Sequence, residues 1–179
     1  AVAQLGENDR VAIVTYASGV GVHLPSTAAA QADTIVDAID SLQAGGSTAG
    51  AAGIDLAYSQ AAAGFIEEGI NHIVLCTDGD FNVGPYSNAQ LWELIEEKRK
   101  TGITLTVLGF GHGSNDSMME LVSNAGNGVY GVIIDEDDAI HYAATDLLDT
   151  LNFIAKDVKI QVELNSDYVY AYRQLGYEN

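Results

Sequence analysis

Residues 72 to 84 read His-Ile-Val-Leu-Cys-Thr-Asp-Gly-Asp-Phe-Asn-Val-Gly, and the fold turns on how that stretch is read. Its apolar run, Ile73 to Cys76, has the length of a strand buried on both faces, and the polarity flips at Thr77, Asp78, Gly79 and Asp80. In open α/β sheets, ligands and ions gather in the crevice beyond the carboxyl ends of the strands. Asp78 and Asp80 are therefore the first candidate functional residues.

Upstream, Arg10 to Tyr16 reads as another buried strand, introduced by a turn at Gly6, Asn8 and Asp9. Val20, Val22 and Leu24 suggest a short edge strand whose pairing Pro25 stops. Ser26 or Thr27 is placed to cap a helix carrying Ile35, Val36, Ile39 and Leu42, with Gly45 as its stop. The loop from Gly45 to Gly50 then leads into a helix carried by Ile54, Ala57, Tyr58, Ala61 and Phe65, which sets the hydroxyls of Ser47 and Thr48 at a helix start.

Downstream, Ser87 or Asn88 starts a helix with Leu91, Trp92, Leu94 and Ile95, and Lys98, Arg99 and Lys100 in its last turn complement the helix dipole. Ile103 to Phe110 reads as a buried strand, Asn115 or Asp116 opens a short helix, and Val129 to Ile134 gives a further strand ended by the acidic run 135 to 138. Ile140, Ala144, Leu147, Leu148 and Leu151 then recur at helical spacing. Strands alternating with helices predict an α/β fold, a Rossmann-like, doubly wound, mostly parallel sheet with helices on both faces. Beyond Ala155 the pattern changes. Ile160, Val162 and Leu164 alternate with polar residues, Asn165 to Asp167 turns, and Tyr168, Tyr170 and Tyr172 share a face, which predicts a β-hairpin. The expected division is an α/β domain over 1–155 and the start of a β-rich region over 156–179.

At 179 residues the chain is long enough for one full domain with a sizeable core. The first residue is Ala1 and no signal-peptide order follows it, so the chain reads as a fragment or a processed product. Seven basic residues against 25 acidic ones give a formal charge of -18, which argues against nucleic acid and anionic membrane surfaces as partners. No apolar run reaches the roughly 18 residues that would span a membrane. Cys76 is the sole cysteine, and mid-strand it reads as a small buried apolar residue. His23, His72, His112 and His141 are scattered without ligand spacing, and the acidic run at 135 to 138 lacks the alternation and glycine of a Ca²⁺ loop.

Ser47, Thr48, Thr77, Asp78 and Asp80 form an oxygen-rich set suited to a hard cation such as Mg²⁺, Mn²⁺ or Ca²⁺. By spacing alone the signal is weak, and helix caps and turns are the better explanation. The order of the motifs adds weight. Arg10 to Tyr16, Leu-Gln-Ala-Gly-Gly-Ser-Thr-Ala-Gly at 42 to 50, Thr-Asp-Gly-Asp-Phe-Asn-Val-Gly at 77 to 84 and Val-Leu-Gly-Phe-Gly at 107 to 111 resemble the von Willebrand factor type A domain, in a bacterial branch usually followed by a β-rich region.

The resemblance implies a non-enzymatic module for protein recognition or adhesion at or outside the bacterial cell envelope. It implies a metal-ion-dependent adhesion site (MIDAS) in which Thr48 and Asp78 supply two ligands and a partner's Asp or Glu carboxylate completes the coordination, with Asp80 supporting the loop. The family's Asp-x-Ser-x-Ser motif occurs nowhere in these residues, so the site is incomplete here, and whether this chain alone holds a cation stays open. The first strand that precedes that motif is also missing. The resemblance places it in mid-sheet, between the Arg10 and His72 strands, and implies that the parent protein carries it upstream. In this chain the gap would be closed by another chain, giving an oligomer, by a rearranged segment such as 158 to 164, or by direct pairing of its neighbours.

The competing reading is a Mg²⁺-dependent phosphatase of the haloacid-dehalogenase type built on Asp78 and Asp80. Asn82 stands where that family wants Thr or Val, and no later lysine and acidic pair sits in a suitable loop. The glycine-rich turn at 109 to 114 lacks a full nucleotide-binding fingerprint and reads as a tight strand-to-helix connection.

Overall fold

The computed structural model describes residues 2–16, 19–43, 45, 50–78, 87–111, 116–147 and 161–173. Five strands are formed among them: β1 (Arg10–Thr15), β2 (Gly21–Ala28), β3 (Asn71–Thr77), β4 (Ile103–Phe110) and β5 (Asn127–Ile133). The helices are α1 (Ala32–Asp40), α2 (Gly50–Ala63), α3 (Asn88–Arg99), α4 (Asp116–Ala125) and α5 (Glu136–His141), the last continuing as a π-helical turn over Tyr142–Asp146. The alternation predicts an α/β fold, and that is what forms.

The strands make two sheets. β3, β4 and β5 pair in parallel with β4 in the middle, whereas β1 and β2 form a separate antiparallel pair. Among the described residues no ladder joins β1 to β3, so direct pairing does not close the predicted gap. Of the segment proposed as a replacement, residues 161–164 take no strand conformation and 158–160 lie outside the described residues.

The core lies on one face of the parallel sheet. Leu75, Leu105 and Val107 point from β3 and β4 into a cluster with Ile54 and Tyr58 of α2, Leu91 and Ile95 of α3, and Met119 and Val122 of α4. Nearly all are fully buried, each aliphatic side chain contributing about 1.5–3 kcal/mol of transfer free energy. The helix ends follow the sequence signals where the residues are free to cap. Ser87 and Gln90 form a reciprocal capping box on α3, and the Asp135 carboxylate accepts from the Asp138 amide at α5.

Four local expectations are corrected. Pairing does not stop at Pro25: β2 runs on to Ala28, because Pro25 and Ser26 together lie opposite Ala12 in a bulge, where a missing N–H costs no ladder bond. Ser26 and Thr27 therefore sit in a strand and do not cap α1; Ser26 instead accepts from Arg10 Nε at 2.9 Å. β3 is buried on one face only, with Val74 and Cys76 exposed on the other, since neither a strand nor a full layer covers that side among the described residues. At the C-terminal end the turn forms, with Tyr168 and Val169 amides donating to the Asn165 carbonyl, but among the described residues 161–165 and 169–173 make no strand ladder, and Tyr168, Tyr170 and Tyr172 are exposed with no described sheet facing them.

Candidate functional site at the carboxyl ends of the strands

β3 delivers Asp78 to the carboxyl end of the sheet, one residue past its last ladder position, Thr77 opposite Gly109. Thr77 is buried, while the Asp78 side chain faces solvent. A buried last strand residue followed at once by an exposed carboxylate agrees with the polarity flip at 77 and 78, although β3 as a whole is buried on one face only.

The neighbouring group is Tyr16, the residue after β1. Its hydroxyl donates to the Cys76 carbonyl and is also hydrogen-bonded to the Thr77 side chain. Burial pushes its phenol up to about 12; the Thr77 bond opposes the rise, and Cys76 and Asp78 add to it. The phenol is thus a neutral donor at any physiological pH. The Tyr16 ring lies on Gly53 of α2 so closely that a Cβ there would stand 2.6 Å from the Tyr16 Cβ. Further along the same end of the sheet, Asp116 opens α4 and accepts from the Tyr130 hydroxyl at 2.7 Å, a bond that fixes the carboxylate.

Cys76 is solvent-exposed, against the sequence expectation, yet its thiol pKa is raised by desolvation. The two facts describe different things: accessible surface measures reach, and the raised pKa measures the apolar protein packed around the group. Such a thiol is protonated and a weak nucleophile.

Of the residues singled out from sequence, Asp78 is at the predicted place. Thr48, Ser47 and Asp80 lie outside the described residues. Among the described residues, no group of three or more His, Cys, Asp and Glu is clustered to hold a metal. The donor type at Asp78 suits a hard cation, but one carboxylate falls far short of the six or more oxygen ligands that Mg²⁺ or Ca²⁺ takes. A shallow groove of about 380 Å³ beside β5, lined by Tyr130, Asp138, His141, Tyr142 and Asp146 among others, contains neither Asp78 nor Tyr16.

Tyr16 and Gly53 were not legible as site residues. Tyr16 reads as one more strand residue. Gly53 carried a signal, since glycine inside a helix costs about 1 kcal/mol relative to alanine and calls for a packing reason; Tyr16 is that reason.

Comparison with known proteins agrees with this geometry. The chain is 44% identical over 178 residues to the Escherichia coli (strain K12) protein YfbK, an alignment covering 99% of this chain and 31% of that one. The chain therefore spans about a third of this relative's length. Residues 149–179 match the family model described as the C-terminal part of YfbK. Among solved structures, a von Willebrand factor type A protein from Catenulispora acidiphila superposes with a TM-score of 0.66 at 21% identity, covering 83% of this chain and 34% of that one. Proximal thread matrix protein 1 of the mussel byssus, solved with a zinc-occupied MIDAS motif, superposes with a TM-score of 0.62 at 23% identity, covering 83% and 38%. These two likenesses establish the fold. Residues 1–146 match the model of the von Willebrand factor type A domain, and the chain belongs to that family.

Proposed function

We propose that this chain is a non-enzymatic protein-recognition module, acting through the loops above the carboxyl ends of β1, β3 and β4, with Thr48 and Asp78 as its share of a divalent-cation site. The observation that carries the reading is Asp78: an exposed carboxylate held at a fixed height by the buried Thr77 beneath it. Family membership supports the recognition role, and the zinc-occupied site of the mussel protein supports a cation in this fold. Mg²⁺, Mn²⁺ or Ca²⁺ bound there would supply a Lewis-acidic point for a partner's Asp or Glu carboxylate.

The chain's own contribution is positional. Thr77 anchors the strand end, Tyr16 holds the backbone at Cys76, and Asp78 projects a hard oxygen into solvent. The family's Asp-x-Ser-x-Ser motif does not occur in this sequence, so the reading assigns the ligands it supplies to residues outside this chain. A setting at or outside the bacterial cell envelope is part of the proposal and rests on the motif resemblance alone.

Calorimetric titration with Mg²⁺ and Mn²⁺ tests it, on this chain and on a form extended upstream by about 45 residues, enough for one strand and one helix with loops. Binding heat is expected only in the extended form and is abolished by Asp78→Ala. Heat that survives Asp78→Ala, or none in either form, overturns the cation site. Hydrolysis of p-nitrophenyl phosphate that depends on Asp78 would overturn the non-enzymatic reading.

A further inference from the structure

β5 forms the outer side of the parallel sheet: β4 pairs with one of its edges, and among the described residues no strand pairs with the other. The Ile133 carbonyl accepts from the Gly111 amide at 2.9 Å, so Ile133 turns its backbone toward β4. Backbone groups alternate in direction along a strand, and Val132 and Ile134 therefore turn theirs outward. The Ile134 amide donates to Asp138 Oδ2 at 3.1 Å, so a carboxylate stands where the carbonyl of a further strand would stand. Two residues earlier, the edge at Val132 opens into the shallow groove of about 380 Å³.

The two flanks of this edge differ in chemistry. A Cβ on Gly131 would stand 3.2 Å from Tyr142 Cε2, which places the α5 segment on the face of β5 shared by Val129, Gly131 and Ile133. That wall carries Asp138 and Asp146, and among the described residues neither lysine nor arginine lines the groove. His141 Nε2 is 3.8 Å from Asp146 Oδ1 with both side chains exposed, so the pairing between them is weak and easily displaced. On the opposite face Tyr130 reaches α4 through its bond to Asp116, and beside it Val132 is 44% exposed. One flank is acidic and the other apolar.

A further strand laid along β5 would alternate its side chains between these flanks. We propose that the β5 edge and its groove are a docking site for an extended basic segment of a partner protein, added to the sheet as an edge strand. Lysine or arginine at alternate positions meets Asp138 and Asp146, and apolar residues between them meet Val132. The occupant follows from charge and from shape. A formal charge of -18 sets this chain against a second copy of itself and draws a basic segment toward it. In strand addition the main-chain bonds give affinity and the alternate side chains give specificity. β5 is seven residues long, which leaves room for a docked strand of about six. Neither Asp78 nor a cation takes part.

The test is an NMR titration of this chain, without divalent cations, using a blocked-end peptide of alternating valine and lysine about six residues long. A second peptide of equal charge carries proline in place of a central valine. The expected result is saturable binding with shifts confined to β5 and residues 136–146, about tenfold weaker for the proline peptide, which lacks a backbone donor. Asp138→Asn combined with Asp146→Asn weakens the valine and lysine peptide about tenfold, as does raising the salt to about 1 M, whereas Asp78→Ala changes nothing. Four results overturn the proposal: no binding, equal binding of the proline peptide, shifts spread over the whole acidic surface, or sedimentation of the free chain as a dimer that Val132→Pro dissociates, which makes a second copy the occupant.

Discussion

The two sheets of this domain are built to different standards. In the parallel sheet, Ile103, Leu105 and Val107 of β4 are essentially inaccessible, flanked by β3 and β5 and covered by α3 and α4. In the antiparallel pair, β1 has no fully buried residue, β2 buries only Leu24, and the register shifts at two places. A parallel strand with neighbours on both edges is specified by close packing. A two-stranded ribbon depends on what it leans against, here α2 and, through β2, α1, because an isolated pair has marginal stability. The antiparallel pair is thus a passenger on α2, and the parallel sheet is the body of the domain.

The contrast predicts unequal costs. Leu105→Ala removes a side chain from the middle of the parallel sheet and is expected to cost about 3–4 kcal/mol in urea unfolding, whereas Leu24→Ala in the ribbon should cost less than half as much. Equal costs would mean that the ribbon is as well packed as the body.

A pH titration of stability sharpens the same difference. His72 of β3 binds the Thr104 hydroxyl through Nδ1 at 2.6 Å, its buried Nε2 has no partner among the described residues, and desolvation lowers its pKa from 6.5 to about 4. The unfolded chain therefore takes up the proton first as pH falls. Stability from this group is intact above about pH 6.5 and is lost progressively toward pH 4, by about 2–3 kcal/mol. His72→Gln should flatten that part of the stability profile; an unchanged slope would remove His72 as its source.

The smallest expected effect is at the junction. Gly53→Ala drives a methyl into the Tyr16 ring and should cost about 1–2 kcal/mol, falling mainly on β1 and β2 as faster amide exchange. Tyr16→Gly in the same chain, which removes the Cβ that the new methyl meets at 2.6 Å, should restore part of the loss, whereas an additive double variant would show that the two residues do not meet.

Much of this architecture was legible because its signals are local. The apolar run at 73 to 76, the buried-strand pattern from 103 to 110 and the Ser87 cap each fix an element within a few residues, and the polarity flip located Asp78. What was misread depended on distant partners. Two-sided burial of β3 is a property of neighbours, and the run itself holds no record of whether they are present. Pro25 reads as a strand stop because the bulge that accommodates it is made with Ala12, thirteen positions away. The tyrosines at 168 to 172 alternate as a strand should, but alternation supplies no facing surface, and among the described residues they stand in solvent.

Pro25 also bears on solubility. On β2 it sits in a bulge at the outer rim of the domain, where a missing amide and a kinked backbone discourage a foreign strand from adding on. β3 and β5, the edges of the parallel sheet among the described residues, carry no proline, and β3 pairs without a bulge. Strand addition is thus discouraged at the β2 edge but not at the two edges of the parallel sheet among the described residues, β3 and β5, so swapped or amyloid-like aggregates should nucleate there. The charge of -18 that keeps copies apart then makes added salt their trigger.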